Sequence, residues 1–306
     1  NYCYADATAM FLSAHGIEVS PASVEVLSGI SLMGAHRLVE PECEKLYLSI
    51  IPSPDHLTRA LRVLGIEVEA VAGEVAEPDP AESLREEIAR TGAVLAGPLD
   101  MGFLKYFPYW GHAGGADHYV VAHEVDDDSV HVHDPMGYPF ARLSREDFAA
   151  SWRAEQVECA PVPFHRWRSP RRVTDPAPAE VRAAAMSIFE EVRTSTGSGS
   201  AVIRDFAADL RDDRLNPRSQ AFLTVFLLQT QARRGLDYAR FFHDAGAGDL
   251  SGWKLDQARR FGSAFQAGNK GDWAQVADDL DAVADLEDRV AARSSRSATA
   301  SRSSAT

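Results

Sequence analysis

Cysteine is scarce: Cys3, Cys43 and Cys159 are the only three in 306 residues. They are too few and too scattered for a disulfide framework, and no CxxC pair offers a zinc knuckle. Free thiols point to a reducing compartment, the cytoplasm. Long apolar runs are missing: no stretch of about 18 consecutive apolar residues occurs, so no membrane-spanning helix is expected. Basic excess is missing too. The net charge of −14 argues against nucleic acid as the main ligand, because phosphate contacts need a basic surface. Gly111-His112-Ala113-Gly114-Gly115 lacks the GxxxxGK[ST] pattern and the strand–helix setting of a phosphate cradle. No internal repeat is found. The chain opens on Asn1 rather than Met, so a targeting segment upstream stays within the expectation.

What is present is ordinary for a globular protein, with 45% hydrophobic and 25% charged residues. At roughly 150 residues per domain, the length suggests about two domains. Charge is uneven. Residues 1–170 hold 12 Lys+Arg against 26 Asp+Glu, whereas 171–306 hold 19 of each. An acidic half would attract a cationic substrate, or it simply keeps the protein soluble.

Helical spacing of Tyr4, Ala7, Phe11 and Ala14 predicts a helix over 4–15, stopped by Gly16. Ser20-Pro21 opens a second helix that ends near Gly29, and Ser53-Pro54-Asp55 opens a third, closed by Gly65. A strand over 66–71, a helix over 80–90 and a short strand over 93–96 follow. His118 to Glu124 and Val130 to His133, joined through Asp126-Asp127-Asp128, read as a hairpin. Ser144 caps a short helix to Trp152, and 157–164 is a further strand candidate. From Pro170 the pattern is helical, with helices near 178–194, 199–212, 217–234, 236–245, 251–267 and 272–292. Basic, proline-containing 166–178 reads as a linker. Residues 294–306, nearly all Ser, Ala, Thr and Arg, cannot bury apolar area and are expected to be a disordered tail.

Cys3 precedes the first predicted helix, where the positive end of the helix dipole favours thiolate. Thiolate attacks carbonyls and thioesters and needs a base. Otherwise Cys3 is a small buried hydrophobe. His118 begins one strand of the hairpin and Asp134 ends the next. Their midpoint falls in the predicted turn, so the two lie near one end of adjacent strands, about 5 Å apart between Cβ atoms. A carboxylate there can hold one imidazole nitrogen and leave the other to face Cys3.

Asn1-Tyr2-Cys3-Tyr4-Ala5-Asp6-Ala7 with its helix, then Asp117-His118-Tyr119-Val120-Val121 and Val132-His133-Asp134-Pro135, resemble the papain-like fold in its double-glycine-peptidase variety. With the helical second half, the chain most resembles the proteins related to butirosin biosynthesis protein H. The resemblance covers about residues 1–165; over 170–293 it rests on helical character. It implies an α+β papain-like domain with an antiparallel sheet at 1–168, an all-helical domain at 169–293, and an acyltransferase activity. An acyl or aminoacyl group would pass from a phosphopantetheine carrier-protein thioester, through Cys3, to a small-molecule amine acceptor. Cys3 would be the nucleophile, His118 the base and Asp134 the orienter, with no cofactor or metal of the protein's own. Relatives of papain usually carry a Gln before the Cys to help hold the oxyanion. Here only Asn1 and Tyr2 precede it, so the Cys3 N–H can supply one donor, and the second is open between Asn1 and a residue upstream of the given sequence.

Other readings stay open. The same residues would serve a peptidase or thioesterase, and an inactive scaffold is the alternative of a different class. His131 and His133, with His123 and His112, are candidate metal ligands; otherwise the pair faces solvent with Val130 and Val132 turned inward. Tyr106, Phe107, Tyr109 and Trp110 line a substrate channel or pack beneath their loop. Arg166, Arg168, Arg171 and Arg172 dock an acidic carrier protein or form a solvated linker. Phe222, Val225, Phe226 and Leu227 are core or the face of a homodimer.

Overall fold

The computed structural model describes residues 2–303 except 41–42, 75–78 and 159–160, with backbone alone from 294 onward. Asn1 and Cys159 therefore lie outside the described residues. The chain divides into two units, Asn1–Ser28 with Ile51–Ala177, and Gly29–Ile50 with Pro178–Thr306.

The first unit is mixed α/β. Its helices are α1 (Cys3–Ala14), α2 (Pro21–Ser28), α3 (Pro54–Val63), α4 (Pro80–Thr91) and α5 (Arg145–Trp152). Their starts are local decisions. Ser53 accepts from Asp55 N–H while its own N–H donates to His56, and Asp79 accepts from Glu82 N–H. Ser144 likewise accepts from Asp147 N–H. Proline occupies the first turn of α3 and α4. After β1 (His36–Glu40) and β2 (Cys43–Tyr47), which belong to the second unit, the strands are β3 (Ile66–Val71), β4 (Val94–Asp100), β5 (Asp117–Val125), β6 (Ser129–Asp134), β7 (Tyr138–Ser144) and β8 (Arg166–Arg172). They form one antiparallel sheet in the order β3-β8-β4-β5-β6-β7. Val120 of β5 joins Leu84 of α4 and Phe148 and Trp152 of α5 in one core. The next residue, Tyr119, meets Tyr4 of α1 edge-on at 6.2 Å. Strand alternation therefore puts α1 on the opposite face from α4 and α5.

Arg166–Arg172 is a strand of this sheet rather than a linker, and no strand forms within the described part of 157–164. The reason is charge compensation from far along the chain. Arg171 faces Glu67 and Arg168 faces Glu69 across β3, and each pair is bonded, at 2.7 and 2.9 Å. Arg166, only 6% exposed, is held by both oxygens of buried Glu87. Arg172 donates to the Leu64 carbonyl. Of the arginines read as a carrier-docking cluster, Arg166 is buried against Glu87, while Arg171 and Arg172 are exposed.

The second unit is helical with one hairpin, β1 (His36–Glu40) and β2 (Cys43–Tyr47). Its helices are α6 (Pro178–Thr196), α7 (Ser200–Arg211), α8 (Pro217–Phe222), α9 (Leu228–Asp244), α10 (Gly248–Gly268) and α11 (Trp273–Ser303), with a π-helical turn at Leu223–Leu227. Residues 29–50, expected within the first domain, belong here. Leu46 and Leu48 are part of the helical core, Arg37 pairs with Asp209, and Ser219 Oγ accepts from the Glu44 N–H at 2.7 Å. Gly235 does not break a helix; a Cβ there would lie 2.8 Å from the Ala258 Cβ, so it lets α9 and α10 approach closely. Within the apolar stripe, Leu227 is core, while Val225 and Phe226 are exposed. The backbone of α11 continues to Ser303 through most of the stretch expected to be disordered. An existing helix extends at one hydrogen bond per added residue, without a new nucleus.

Replacing Glu87 by Ala leaves Arg166 buried without its counter-charge. The expected cost is roughly 3 kcal/mol of unfolding free energy, the scale for breaking one side of a buried ion pair. Urea unfolding checks this, and a change below about 0.5 kcal/mol, the range of ordinary surface substitutions, would contradict it.

Candidate active site

Cys3 is the first residue of α1 and is half-buried. The helix is fixed beneath it: Tyr4 O–H donates to buried Glu25 of α2, and Thr8 Oγ donates to the Tyr4 carbonyl at 2.6 Å. As the first helical position, the Cys3 N–H has no carbonyl to bond within the helix. His118 lies one residue into β5 and is 1% exposed. Gly97 makes room for this part of the strand. A Cβ at Gly97 would stand 2.4 Å from the Tyr119 ring and 2.9 Å from the His118 carbonyl.

His118 Nε2 and Asp134 Oδ2 are 2.9 Å apart, both side chains buried. Val121 faces His133 across the strands, so His118 and Asp134 sit diagonally rather than directly opposite, still within side-chain reach. The Cys3 thiol lies close enough to His118 for each group to shift the proton affinity of the other. With Nε2 engaged by Asp134, the nitrogen left for sulfur is Nδ1. The expected three residues are brought together.

Asp134 has further partners. Its Oδ2 also accepts from the Tyr106 hydroxyl at 2.7 Å, and its Oδ1 accepts from the Met136 N–H at 2.6 Å. Tyr106 is carried on the 101–116 loop. That loop is closed by buried Asp100, whose Oδ1 accepts from the Gly102 and Gly115 N–H groups at 2.8 and 3.0 Å. Leu104 of the loop is in the core, and Tyr106 packs against Tyr138 at 5.7 Å. Tyr109 and Trp110 instead lie exposed, at 68% and 40%. Of the three aromatic residues proposed to line a channel, only Tyr106 reaches the Cys–His–Asp group. Nothing in the local sequence separates it from its loop neighbours; the bond depends on the loop's path.

The electrostatics of the group are coupled. Burial pushes the Cys3 thiol up, the His118 hydrogen bond and charge pull it back, and Asp117 and Asp134 add to the rise. Burial alone would lower His118, but the charge and hydrogen bond of Asp134, with a contribution from Cys3, raise it to about 10. For Asp134, burial opposes ionisation, yet His118, the Met136 N–H and Tyr106 hold it below the usual carboxylate value. The result is a thiol beside an imidazole that holds a proton strongly.

His131 is buried rather than solvent-facing, with Nε2 2.8 Å from Asp126 Oδ2 at the hairpin turn. Val130 and Val132 point into the core. His123 and His133 stack at 4.3 Å. Among the described residues, no group of three or more His, Cys, Asp or Glu is arranged to hold a metal ion. None of the described helices is long and apolar enough to cross a membrane.

Residues 193–293 match the family model of the YobF C-terminal domain. They lie wholly in the helical unit. The chain is also 34% identical over 294 residues to "Uncharacterized protein YobF" of Bacillus subtilis (strain 168), covering 94% of each chain.

The shifts fix the pH dependence of stability. His118, raised in the fold, contributes fully below its ordinary value of 6.5 and loses that contribution as pH climbs through about 10. Asp134, lowered in the fold, contributes above its ordinary value of 3.8 and loses it as pH falls below. The stability gap between the protein and its Asp134→Asn variant should therefore be widest between about pH 4 and 6.5 and shrink towards pH 10. Urea midpoints across that range check it; a gap that widens with rising pH would contradict the assignment.

Proposed function

The chain belongs to the YobF family, and we propose that it is a cysteine-dependent acyltransferase built on a papain-like domain of the double-glycine-peptidase type. The observation that carries this reading is a half-buried cysteine at the start of a helix, beside a buried histidine that is itself anchored by a buried aspartate. Such a set generates thiolate and shuttles protons, which acyl transfer through sulfur requires.

The proposed steps use these three side chains. With the proton of the pair held on His118 and Cys3 as thiolate, the sulfur attacks the carbonyl of a carrier-protein thioester. The Cys3 N–H supports the oxyanion as the tetrahedral intermediate forms. Collapse breaks the carbon–sulfur bond to the carrier, whose thiolate takes the proton from His118. The acyl group now sits on Cys3. An amine acceptor attacks it, His118 accepts the amine proton, and the amide leaves as the Cys3 thiolate departs. Imidazolium and thiolate are then the starting pair again. Asp134 keeps the imidazole in the required tautomer and stabilises each imidazolium. The donor rides on phosphopantetheine, so the chemistry asks for no cofactor bound by the chain itself. A nucleophilic thiol must stay reduced, which suits the cytoplasm. Of the β8 arginines, Arg171 and Arg172 are exposed to a docking carrier, whereas Arg166 is buried against Glu87.

Incubation with an acyl-thioester donor should add the mass of one acyl group to the intact protein, and Cys3→Ala should abolish the gain. His118→Gln should slow it by about 100-fold or more, the scale of a general base. Amine added to the labelled protein should release amide. Release of free acid alone would mark a thioesterase or peptidase instead. No mass gain, or an equal gain in Cys3→Ala, would remove the proposal.

A further inference from the structure

The Asp134 carboxylate does not serve His118 alone. Its Oδ2 lies 2.9 Å from His118 Nε2 and 2.7 Å from the Tyr106 hydroxyl. Two donors therefore draw on the same oxygen, while Oδ1 is occupied by the Met136 N–H. A donor on Oδ2 withdraws negative charge from the atom that stabilises the imidazolium, so the phenol and the imidazole compete. The phenol stays protonated in this role: burial and the Asp134 charge both push its proton affinity up. Its loop is tied at Asp100 and Leu104, so the hydroxyl is held rather than swinging freely. Tyr106 neither bonds Cys3 nor projects from the surface as Tyr109 and Trp110 do.

We infer that Tyr106 is a positioning residue of the Cys3–His118–Asp134 group. By donating to Asp134 Oδ2 it fixes the carboxylate and tempers the basicity of His118, completing a Tyr106–Asp134–His118–Cys3 chain. This rests on the reading of Cys3 as a nucleophile served by His118, and it adds the residue that sets how firmly that base holds its proton.

The test reads proton affinity directly, without substrate. In the full chain, Tyr106 is replaced by Phe, which removes the donor, and separately by 3-fluorotyrosine, whose more acidic phenol donates more strongly. His118 is titrated by imidazole NMR, and Cys3 by the pH dependence of its alkylation with iodoacetamide. The other groups that face this chain, Asp117 beside Cys3 and Tyr138 beside Tyr106, are unchanged in both variants. Tyr106→Phe should raise the His118 midpoint by about half a pH unit, a threefold change in proton affinity. It should also move the acidic limb of alkylation to lower pH. The fluorinated residue should shift both in the opposite sense. A residue that only packs would lower thermal stability and leave both titrations in place. Shifts absent from both variants, or of one sign in both, overturn the inference. If Tyr106→Phe fails to fold, the nearly isosteric fluorotyrosine decides by itself: a downward His118 shift supports the role, and none refutes it. Neither readout needs acyl transfer, so failure here and failure of the proposed reaction are distinguishable.

Discussion

One oxygen atom, Asp134 Oδ2, takes a hydrogen bond from buried His118 and another from Tyr106. A carboxylate is costly to bury unless its lone pairs are satisfied. This one is satisfied from a neighbouring strand, from the 101–116 loop and, at its second oxygen, from the Met136 N–H. Those partners hold the end of β6, the start of β5 and the loop between β4 and β5 in one geometry. The raised proton affinity of His118 follows from that anchoring.

The rest of the first unit serves to bring these groups to one place. The sheet is filled on one face by α4 and α5, and α1 lies on the other through Tyr4 and Tyr119. Gly97 removes the side chain that would push Tyr119 and the His118 carbonyl aside. At the far side of β4, the arginine-rich β8 is admitted to the sheet because Glu67, Glu69 and Glu87 meet its charges. The second unit has its own core, which takes in Leu46 and Leu48 from the hairpin. The family resemblance at 34% identity extends over both units, whereas the C-terminal domain model matches only the helical one.

Local signals were readable where the physics is local. Caps at Ser53, Asp79, Ser144 and Asn216 sit at helix starts and bond the backbone within three residues. The β5–β6 hairpin was readable from alternation and from Asp126, which accepts from the Asp128 and Ser129 N–H groups in its turn. β8 was not readable as a strand, because its arginines look solvated until glutamates about a hundred residues earlier are placed beside them. Membership of the β1–β2 hairpin in the helical unit rests on contacts with α7 and α8.

The order of residues by itself determined that Cys3 opens a helix, that His118 and Asp134 fall on adjacent strands, and that the second half is helical. Each depends on periodicity, capping or turn chemistry within a short stretch. Only the tertiary structure decided that Tyr106 rather than Tyr109 or Trp110 reaches Asp134, that Gly97 clears the strand, that the β8 arginines are neutralised internally, and that 29–50 joins the helices. Those outcomes depend on which distant groups meet in a low-dielectric interior, where a buried charge or donor persists only beside its partner.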